Sequence, residues 1–239
     1  MRENDGIRLN KYIASAGVSS RRDADKLIES GSVTVNGKVA DLGTKVFEGD
    51  SVKVGSKLIK PVEEKVVLAY YKPVGVTCTE RDDHAKITIK DAVKYKERVT
   101  YAGRLDKDSE GLILLSNDGD LIQTMMKGEN RHEKEYVVKL KGPVRDDFFE
   151  KMAAGVYLKE LKVKTRPCEV KKISSDSFKI ILTQGLNRQI RRMCEALGSK
   201  VSTLKRVRVV TVVLGGLKPG EYRKLSNEEI NELRSALIK

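Results

Sequence analysis

The chain has 239 residues, of which 39% are hydrophobic and 34% charged, enough apolar material for one large domain or two modest ones. No apolar run approaches the roughly 18 residues that a membrane span needs, and the beginning MRENDGIRLNKY has no apolar core of signal-peptide type, so we expect a cytoplasmic protein. Lys and Arg total 47 against 34 Asp and Glu, a net charge of +13, which favours a polyanion such as nucleic acid or an acidic membrane surface. No isolated amphipathic helix of the membrane-binding type is evident, so no membrane partner is expected.

The first 60 residues have the pattern of two helices followed by a hairpin. The segment Arg8–Ala16 carries apolar residues at helical spacing. Ser19 or Ser20 is placed to cap a second helix. The pair Asn36-Gly37, preceded by alternating valines, is the strongest short hairpin signal, and the segment GTKVFEGDSVKV adds further short strands.

The polar stretch from Ser56 to Lys65 contains a proline and no period, and it is predicted to link this domain to a second one, residues 61–239. In the second domain the pattern predicts strands in VVLAYYK, GLILLS, EYVVKL, LKVKTRPCEVKKI, SFKIILTQG and VVTVVL. Helices are predicted in LIQTMM with Asp120 as cap, in RDDFFEKMAAG, in NRQIRRMCEALG, and after Ser226, which can form a capping box with Glu229. Because strands and helices do not alternate regularly, we predict an α+β fold with mostly antiparallel sheets flanked by helices.

Asp106 lies in the segment GRLDKDSEG, and its acids allow three interpretations: a calcium ligand, a catalytic carboxylate or a solvated loop acid. Asp106, Asp108, Glu110 and Gly111 mimic the start of an EF-hand loop, but Asn117 occupies the position where such a loop needs a bidentate Glu. The flanking residues also have the pattern of strands. Calcium is therefore not favoured, and residue pattern leaves the other two interpretations open.

Cysteine and histidine offer little material for a metal site. The three cysteines, Cys78, Cys168 and Cys194, are far apart and form no Cys-x-x-Cys pair, so we expect free thiols that are buried or partly exposed. The histidines, His84 and His132, have no ligand partner at short spacing and are expected to be solvated in loops. We predict that the protein binds no metal.

Two basic clusters indicate contact with RNA phosphates. Between Gly185 and Val210 the sequence has seven basic residues and one acid, Glu195; of the seven, Arg188, Arg191 and Arg192 are predicted to share with Glu195 a helix face opposite the apolar stripe. The second cluster consists of Lys11, Arg21, Arg22, Lys26 and, at the hairpin tip, Lys38. A solvated helix face usually mixes both signs of charge. Since aromatic residues are few, shape and phosphate recognition of a folded RNA is favoured over base stacking.

Longer motifs resemble known families. The segment RLNKYIASAGVSSRRDADKLIESGSVTVNGKVA resembles the S-four-like RNA-binding module shared with a small-subunit ribosomal protein. The segments YKPVGVTCT, GRLDKDSEGLILLSNDGDL, HEKEYVV and QGLNRQIRRMCEALG resemble the RsuA-type bacterial ribosomal pseudouridine synthases. The resemblance extends through almost the whole chain, and it implies an S-four-like domain in residues 1–60 and a pseudouridine synthase catalytic domain in residues 61–239.

The resemblance also implies a reaction. The chain would isomerise a specific uridine of structured ribosomal RNA, expected in a 23S stem-loop, by flipping the base out, cleaving the bond between ribose C1′ and uracil N1, and rejoining the base through C5. No cofactor is needed, because the product is an isomer of the substrate. Whether the catalytic carboxylate attacks C1′ or C6 stays open.

The family's motifs assign roles to individual residues by resemblance. Asp106 would be the catalytic aspartate, Tyr136 the tyrosine that packs on the target base, and Arg191 the arginine that pairs with Asp106. The residues expected to bind the substrate are Arg104, Leu186, Arg188 and Arg192. An unpaired aspartate in a closed pocket would tend to hold its proton, and a planar guanidinium would keep it ionised.

Two alternatives remain open. The chain could be a non-catalytic RNA-binding assembly factor that keeps the fold, although the presence of Asp106, Tyr136 and Arg191 argues against it. The same chemistry could also act on small-subunit ribosomal RNA or on a tRNA anticodon stem-loop. We expect a monomer.

Overall fold

A computed structural model describes residues 6–79, 87–127, 131–145 and 147–238. The chain forms two compact units. The first contains the described residues up to Val66 together with Tyr95–Val99 and Asn117–Gly119, and the second contains the other described residues. Within these ranges no helix is long and apolar enough to cross a bilayer.

The first unit begins with two helices and continues with short strands. Its elements are β1 (Ile7–Arg8), α1 (Leu9–Ser15), α2 (Arg21–Glu29), β2 (Val33–Val35), β3 (Lys38–Val39), β4 (Lys45–Val46), β5 (Val52–Val54) and β6 (Lys57–Ile59). The sheet order is β3-β2-β5-β6, and β1 pairs with β4. The predicted helix, helix and hairpin are therefore confirmed.

Apolar side chains at helical spacing form the core of this unit. Leu9 and Ile13 of α1 are buried with Ala24 and Ile28 of α2 and with side chains from the strands. The predicted cap is Ser20, whose side-chain oxygen accepts a hydrogen bond of 3.1 Å from the backbone N–H of Asp23.

The predicted linker, Ser56–Lys65, is partly wrong. Lys57–Ile59 form strand β6, which pairs antiparallel with β5. Ile59 is buried in the core of the first unit, and this packing against residues distant in sequence, which a short polar window does not reveal, stabilises the strand.

The second unit is built on a nine-stranded sheet. Its elements are β7 (Val67–Lys72), α3 (Ile89–Ala92), β8 (Thr100–Ala102), β9 (Glu110–Ser116), α4 (Gly119–Met126), β10 (Lys134–Leu140), α5 (Asp147–Ala153), β11 (Tyr157–Leu158), β12 (Val163–Lys164), β13 (Glu169–Ser174), β14 (Ser177–Leu182), α6 (Gln189–Ala196), β15 (Val201–Val209), β16 (Val212–Val213), β17 (Tyr222–Lys224) and α7 (Asn227–Ile238). The strand order is β13-β14-β10-β15-β9-β7-β17, with β16 beside β15 and β8 beside β9.

The described strand pairs of this sheet are antiparallel except the pair of β9 and β15. This arrangement confirms the predicted α+β class. Helices α5 and α6 bury their apolar faces with side chains of β10 and β14. Helices α4 and α7 contribute to a second core with β7 and β9.

The basic segment after α6 is a strand rather than a loop. β15 spans Val201–Val209, whereas the sequence pattern placed a strand in VVTVVL. That segment instead forms a tight hairpin between β15 and β16, with Val210 at a φ of 53°. The error arose because Lys205, Arg206 and Arg208 interrupt the apolar pattern of β15, and the apolar run after them gave the stronger signal.

Gly111 is required where β9 meets β15. It has a φ of 110°, and a Cβ there would overlap the backbone nitrogen and oxygen of Arg206. The close approach of the two strands therefore depends on the missing side chain.

The two predicted helix caps of the second domain have different outcomes. Helix α4 begins at Gly119, so Asp120 lies in its first turn rather than at its cap. The capping box of Ser226 and Glu229 is confirmed by hydrogen bonds of 3.0 and 3.2 Å.

Candidate active site

The second unit contains a cleft of about 610 Å³. Its walls come from the loop between β8 and β9, the end of α4, the first residues of β10, and the segment that joins β14 to α6. Strand β15 contributes Leu204 and Arg206. Most of the residues predicted to act on the substrate in the catalytic domain line this cleft; they are Arg104, Asp106, Tyr136, Leu186 and Arg188.

Asp106 lies in the loop between β8 and β9, and its side chain is 33% exposed. The loop is closed by a turn in which the backbone N–H of Ser109 donates to the carbonyl of Asp106 at 3.0 Å. The Asp106 carboxylate lies 3.7 Å from Nη1 of Arg188. The candidate carboxylate is thus accessible from the cleft and has a cation beside it.

The predicted pairing of Asp106 with Arg191 is not present in this structure. Arg191 donates from Nη2 to the carbonyl of Asp108 at 2.8 Å, and its Nε lies 3.3 Å from the Asp108 carboxylate. Arg188 also reaches Asp108, with two hydrogen bonds of 3.1 and 3.2 Å. Both arginines therefore hold the turn that follows Asp106.

The geometry of helix α6 explains this difference. The helix begins at Gln189, and Arg188 precedes it in the left-handed conformation with a φ of 50°. Arg191 is buried, so the predicted exposed face shared by Arg188, Arg191 and Arg192 is wrong.

The charge of Asp108 is stabilised by these contacts. Burial alone would raise the pKa of Asp108, but the hydrogen bonds from Arg188 and the nearby charge of Arg191 outweigh it and hold the pKa below its ordinary value. Asp108 is therefore ionised at neutral pH and ties both arginines to its own turn.

Arg192 lies outside the residues that form the cleft. It donates from Nε to the carbonyl of Asn187 at 3.1 Å and forms an ion pair with Glu160. These contacts anchor the start of α6 to the short helical turn at Lys159–Leu161.

Tyr136 lies on β10, opposite Ile180 of β14 and Arg206 of β15. It is partly buried and packs on the core that α5 and α6 cover. Leu186 packs on the same core, and Arg104 is exposed. The cleft thus combines a carboxylate, an aromatic ring and an apolar wall.

Further cations line the cleft, among them Lys134 and Arg206. Sequence pattern counted Arg206 only as one of the seven basic residues between Gly185 and Val210, and it did not single out Lys134. Arg206 is 2% exposed, donates to the carbonyls of Leu112 and Arg104 at 2.6 and 3.4 Å, and has no hydrogen-bond partner for Nη2 among the described residues. Lys134 donates to the carbonyl of His132 at 2.9 Å. The alternation of β10 places Lys134 on the face of Tyr136, which is the signal that could have identified it.

The prediction of a solvated His132 is wrong. The side chain is 8% exposed, and its Nε2 lies 3.3 Å from the carbonyl of Thr124. Burial lowers the pKa of His132, so the ring is neutral at neutral pH. His84 lies outside the described residues.

The acids of the Asp106 segment have separate partners. Asp108 is bound by arginines, and the hydroxyl of Tyr71 donates to Glu110 at 2.7 Å. Among the residues that the structure describes, no group of three or more His, Cys, Asp or Glu side chains could hold a metal ion. Cys78 and Cys194 are buried free thiols and Cys168 is partly buried, as predicted.

The basic residues predicted to contact RNA in the first unit lie on its helices and hairpin. Four of them are exposed: Arg21, Arg22, Lys26 and Lys38. Lys11 is half-buried. Lys26 lies 3.8 Å from Asp23, an exposed pair of the kind that contributes little to stability.

Comparison with known proteins gives this architecture its context. Residues 66–196 match the RNA pseudouridylate synthase family, and residues 7–52 match the S4 domain. A curated relative from Escherichia coli strain K12, "Dual-specificity RNA pseudouridine synthase RluF", is 46% identical over 235 residues, which are 98% of this chain and 80% of the relative. "Ribosomal large subunit pseudouridine synthase B" from Bacillus subtilis strain 168 is 39% identical and covers 95% of this chain and 96% of the relative.

A solved structure described as "Crystal structure of pseudouridylate synthase" superimposes with a TM-score of 0.70 at 31% identity, over 95% of this chain and 99% of that chain. The match to the RNA pseudouridylate synthase family and the S4 domain place the chain in the class of RNA-modifying isomerases. The chain belongs to the RNA pseudouridylate synthase family, and the similarity to RluF confirms the RsuA-type resemblance that its motifs indicated. It is a pseudouridine synthase, which converts uridine in RNA to pseudouridine.

Proposed function

We propose that Asp106 is the catalytic carboxylate of this synthase. Cleavage of the bond between C1′ and N1 builds positive charge at C1′, which a carboxylate can stabilise or capture, as glycosidase carboxylates do. The observation that supports this role most directly is that Asp106 and Tyr136, which are far apart in the sequence, line one cleft. The cleft is large enough to hold a flipped nucleotide, whose extrusion costs a few kcal/mol.

Tyr136 and Leu186 would bind the flipped base between them. An aromatic ring offers a flat surface to the detached uracil while it turns, and an apolar wall excludes water from the cleft. Both side chains pack on the core beneath the cleft, which keeps them in place without the substrate. Arg104, exposed at the rim, would contact a phosphate of the flipped nucleotide.

Arg188 and Arg191 would keep the catalytic loop charged and in position. Arg191 holds the carbonyl of Asp108 at 2.8 Å, and Arg188 lies between Asp106 and Asp108. When RNA enters, we expect Arg188 or Arg191 to move toward Asp106, since both already bind the turn that follows it. Arg192 would contact the RNA backbone from outside the cleft.

The RNA substrate is proposed to be a stem-loop of 23S ribosomal RNA. Synthase B of Bacillus subtilis is named for the large ribosomal subunit, and RluF is named as dual-specific, so a second RNA such as a tRNA is a further candidate. We place the domain boundary at residues 60 and 61 and expect a cytoplasmic monomer. The exposed cations of the first unit, Arg21, Arg22, Lys26 and Lys38, with the half-buried Lys11, would bind phosphates and choose the site.

Pseudouridine mapping of defined transcripts tests this proposal. The purified protein is incubated separately with 23S and 16S ribosomal RNA transcripts and with tRNA transcripts, and each modified position is mapped chemically. We expect one modified uridine in the 23S transcript and none with Asp106→Asn. Modification of only 16S RNA or tRNA would contradict the 23S assignment, and modification of no transcript would favour the non-catalytic assembly factor.

A further inference from the structure

Lys134 and Arg206 are two neighbouring cations that line the cleft. Lys134 is the first residue of β10, two positions before Tyr136, and the alternation of a strand puts both side chains on one face. Arg206 is the cross-strand partner of Tyr136 on β15, so its Cβ lies about 5 Å from that of Tyr136. All three residues line the cleft that holds Asp106.

Neither cation has an acidic partner among the described residues. The hydrogen bonds of Lys134 and Arg206 go to backbone carbonyls, those of His132, Leu112 and Arg104. Within the described part of the chain, Nη2 of the buried Arg206 has no hydrogen-bond partner. Cations are costly to bury without a counter-charge.

Three other arginines near the cleft are neutralised by the protein itself. Arg188 and Arg191 are occupied by Asp108. Further along β15, Arg208 is paired with Glu133 and Glu135. Of the other cations that line the cleft, Arg104, Lys107 and Lys127 are exposed, whereas Lys134 is half-buried and Arg206 is buried. Among the described residues, the shielded positive charge of the cleft without an acidic partner therefore lies at Lys134 and Arg206.

The pKa of Lys134 also reflects a cation without an acidic partner. Burial and, to a smaller extent, the neighbouring charge of Arg206 lower the pKa of Lys134 to about 8. Near neutral pH Lys134 is largely protonated but holds its proton more weakly than an exposed lysine. An anion that binds in the cleft would therefore stabilise the charged form of Lys134.

The isomerisation produces such an anion on the base. When the bond between C1′ and N1 breaks, its electron pair stays with uracil, and the negative charge spreads over N1 and the carbonyl oxygens O2 and O4. Asp106 stabilises or captures the positive charge that develops at C1′. The base then turns, C5 bonds to C1′, the proton on C5 leaves, and N1 gains a proton, so that the product is an isomer. An initial attack on C6 would also place charge on the uracil carbonyl.

We propose that Lys134 is a further catalytic residue, whose ammonium binds a carbonyl oxygen of the flipped uracil and stabilises the negative charge that the base carries after it leaves C1′. Arg206 acts as a positioning residue, because it binds the carbonyl of Arg104 and thereby the loop of Asp106. This proposal rests on the proposed role of Asp106. A cation that meets a developing charge in a preorganised site typically contributes about 10²- to 10³-fold in rate.

Single-turnover kinetics with a 23S ribosomal RNA transcript, labelled with tritium at uracil C5, tests the proposal by tritium release. We expect Lys134→Met to lower the single-turnover rate by about 10²-fold or more, with RNA affinity within a few-fold. Lys134→Arg keeps a cation and should retain a rate within about 10-fold of the original. Lys139→Met, an exposed change on the same strand, is the matched control and should change neither quantity.

The pH profile separates this role from a purely structural one. Lys134 is charged below its pKa, so the rate should fall as pH rises through about 8, while Lys134→Arg should stay flat because a guanidinium keeps its proton. The other charged or titratable groups that line the cleft with Lys134 are Arg206 from β15, Arg104, Asp106 and Lys107 from the loop before β9, Lys127 after α4, Arg188 before α6, Cys78 after β7, and His132 and Tyr136 beside Lys134. Burial also lowers the pKa of Lys72. Because Lys72 and the RNA are the same in both reactions, their effects on the rate appear in both pH profiles and cancel in the comparison.

Four results would overturn the proposal. One is a Lys134→Met protein that reacts at the original rate while Asp106→Asn is inactive, which contradicts only the role of Lys134. Another is an identical pH profile for the original and Lys134→Arg proteins. The third is a change confined to RNA affinity, which would place Lys134 on a phosphate. Turnover by Asp106→Asn would overturn both this proposal and the role of Asp106.

Discussion

Arg191 offers the sharpest test of how the catalytic loop is held. Its side chain is 10% exposed and its Nε lies 3.3 Å from the Asp108 carboxylate, while Nη2 donates to the Asp108 carbonyl at 2.8 Å. A hydrogen bond that involves a charged group contributes about 1.5–3 kcal/mol. Since Arg188 still holds Asp108 in the variant, we expect Arg191→Ala to lower the free energy of unfolding by about 2 kcal/mol. In a domain of this size that loss lowers the Tm by roughly 4–8 °C.

The same substitution should slow the chemical step. The turn that Arg191 anchors begins at Asp106, and a displacement of about 1 Å at a reacting group can cost about 10²-fold in rate. Arg191→Lys keeps the charge but loses the planar fork, so we expect a smaller fall in Tm and a rate reduced by roughly 10-fold. Tritium release under single-turnover conditions, differential scanning calorimetry and RNA affinity are measured on the same preparations.

Arg192, the next residue on the helix, is the matched control. It contacts Asn187 and Glu160 outside the cleft, so Arg192→Lys should be mild and Arg192→Ala should act mainly through RNA affinity. If substitutions of Arg192 slow the chemical step and substitutions of Arg191 do not, the proposed support of the Asp106 loop by Arg191 is refuted.

Three other changes have defined outcomes. Alanine at Arg21, Arg22 and Lys26 together should reduce the slope of log affinity against log salt by about 0.7–0.9 for each phosphate that the protein no longer neutralises, and an unchanged slope in filter binding would show that these residues do not touch phosphates. Gly111→Ala adds backbone strain of about 1–3 kcal/mol and an overlap with β15, so calorimetry should show unfolding or a large fall in Tm; Gly216→Ala, where nothing lies within 4 Å, is its control, and equal Tm values would contradict the close approach. EDTA should leave the rate unchanged on a stem-loop that folds without magnesium, and inactivation by EDTA would revive the calcium interpretation.

Three caps and turns were predictable because they depend on residues close together in the sequence. The cap at Ser20, the Asn36-Gly37 turn and the capping box of Ser226 and Glu229 depend on interactions within a few residues, and all were predicted correctly. Strand β15 was missed because its partner β10 is distant in sequence. Strand β6 pairs with the neighbouring β5 and was missed because Ile59 is its one buried residue. Polar residues interrupt the apolar pattern of both strands, which makes them resemble loops in a short window.

The candidate site was predictable as a set of residues but not as a geometry. Motif resemblance named Asp106, Tyr136 and Leu186, and the fold brings all three to one cleft. The helix register of the arginines was not predictable, because the left-handed conformation at Arg188 delays the start of α6 to Gln189.

The buried Arg206 and the half-buried Lys134 were not predictable from the sequence as shielded cations. Lys134 and Arg206 look like ordinary exposed residues in a basic chain, since hydrophobic periodicity assigns charged positions to the solvent. The pairing of β10 with β15 brings both to the lining of one cleft.

Asp106 is the residue on which the proposed reaction depends most, and the single-turnover rate of Asp106→Asn measures its role most directly. The amide is nearly isosteric with the carboxylate but cannot stabilise or capture a cationic C1′. We predict no detectable tritium release from C5 of the labelled 23S transcript, with RNA affinity within a few-fold of the original, whereas Asp108→Asn on the same turn should be slower but active. Measurable turnover by purified Asp106→Asn would contradict the assignment of this residue as the catalytic carboxylate.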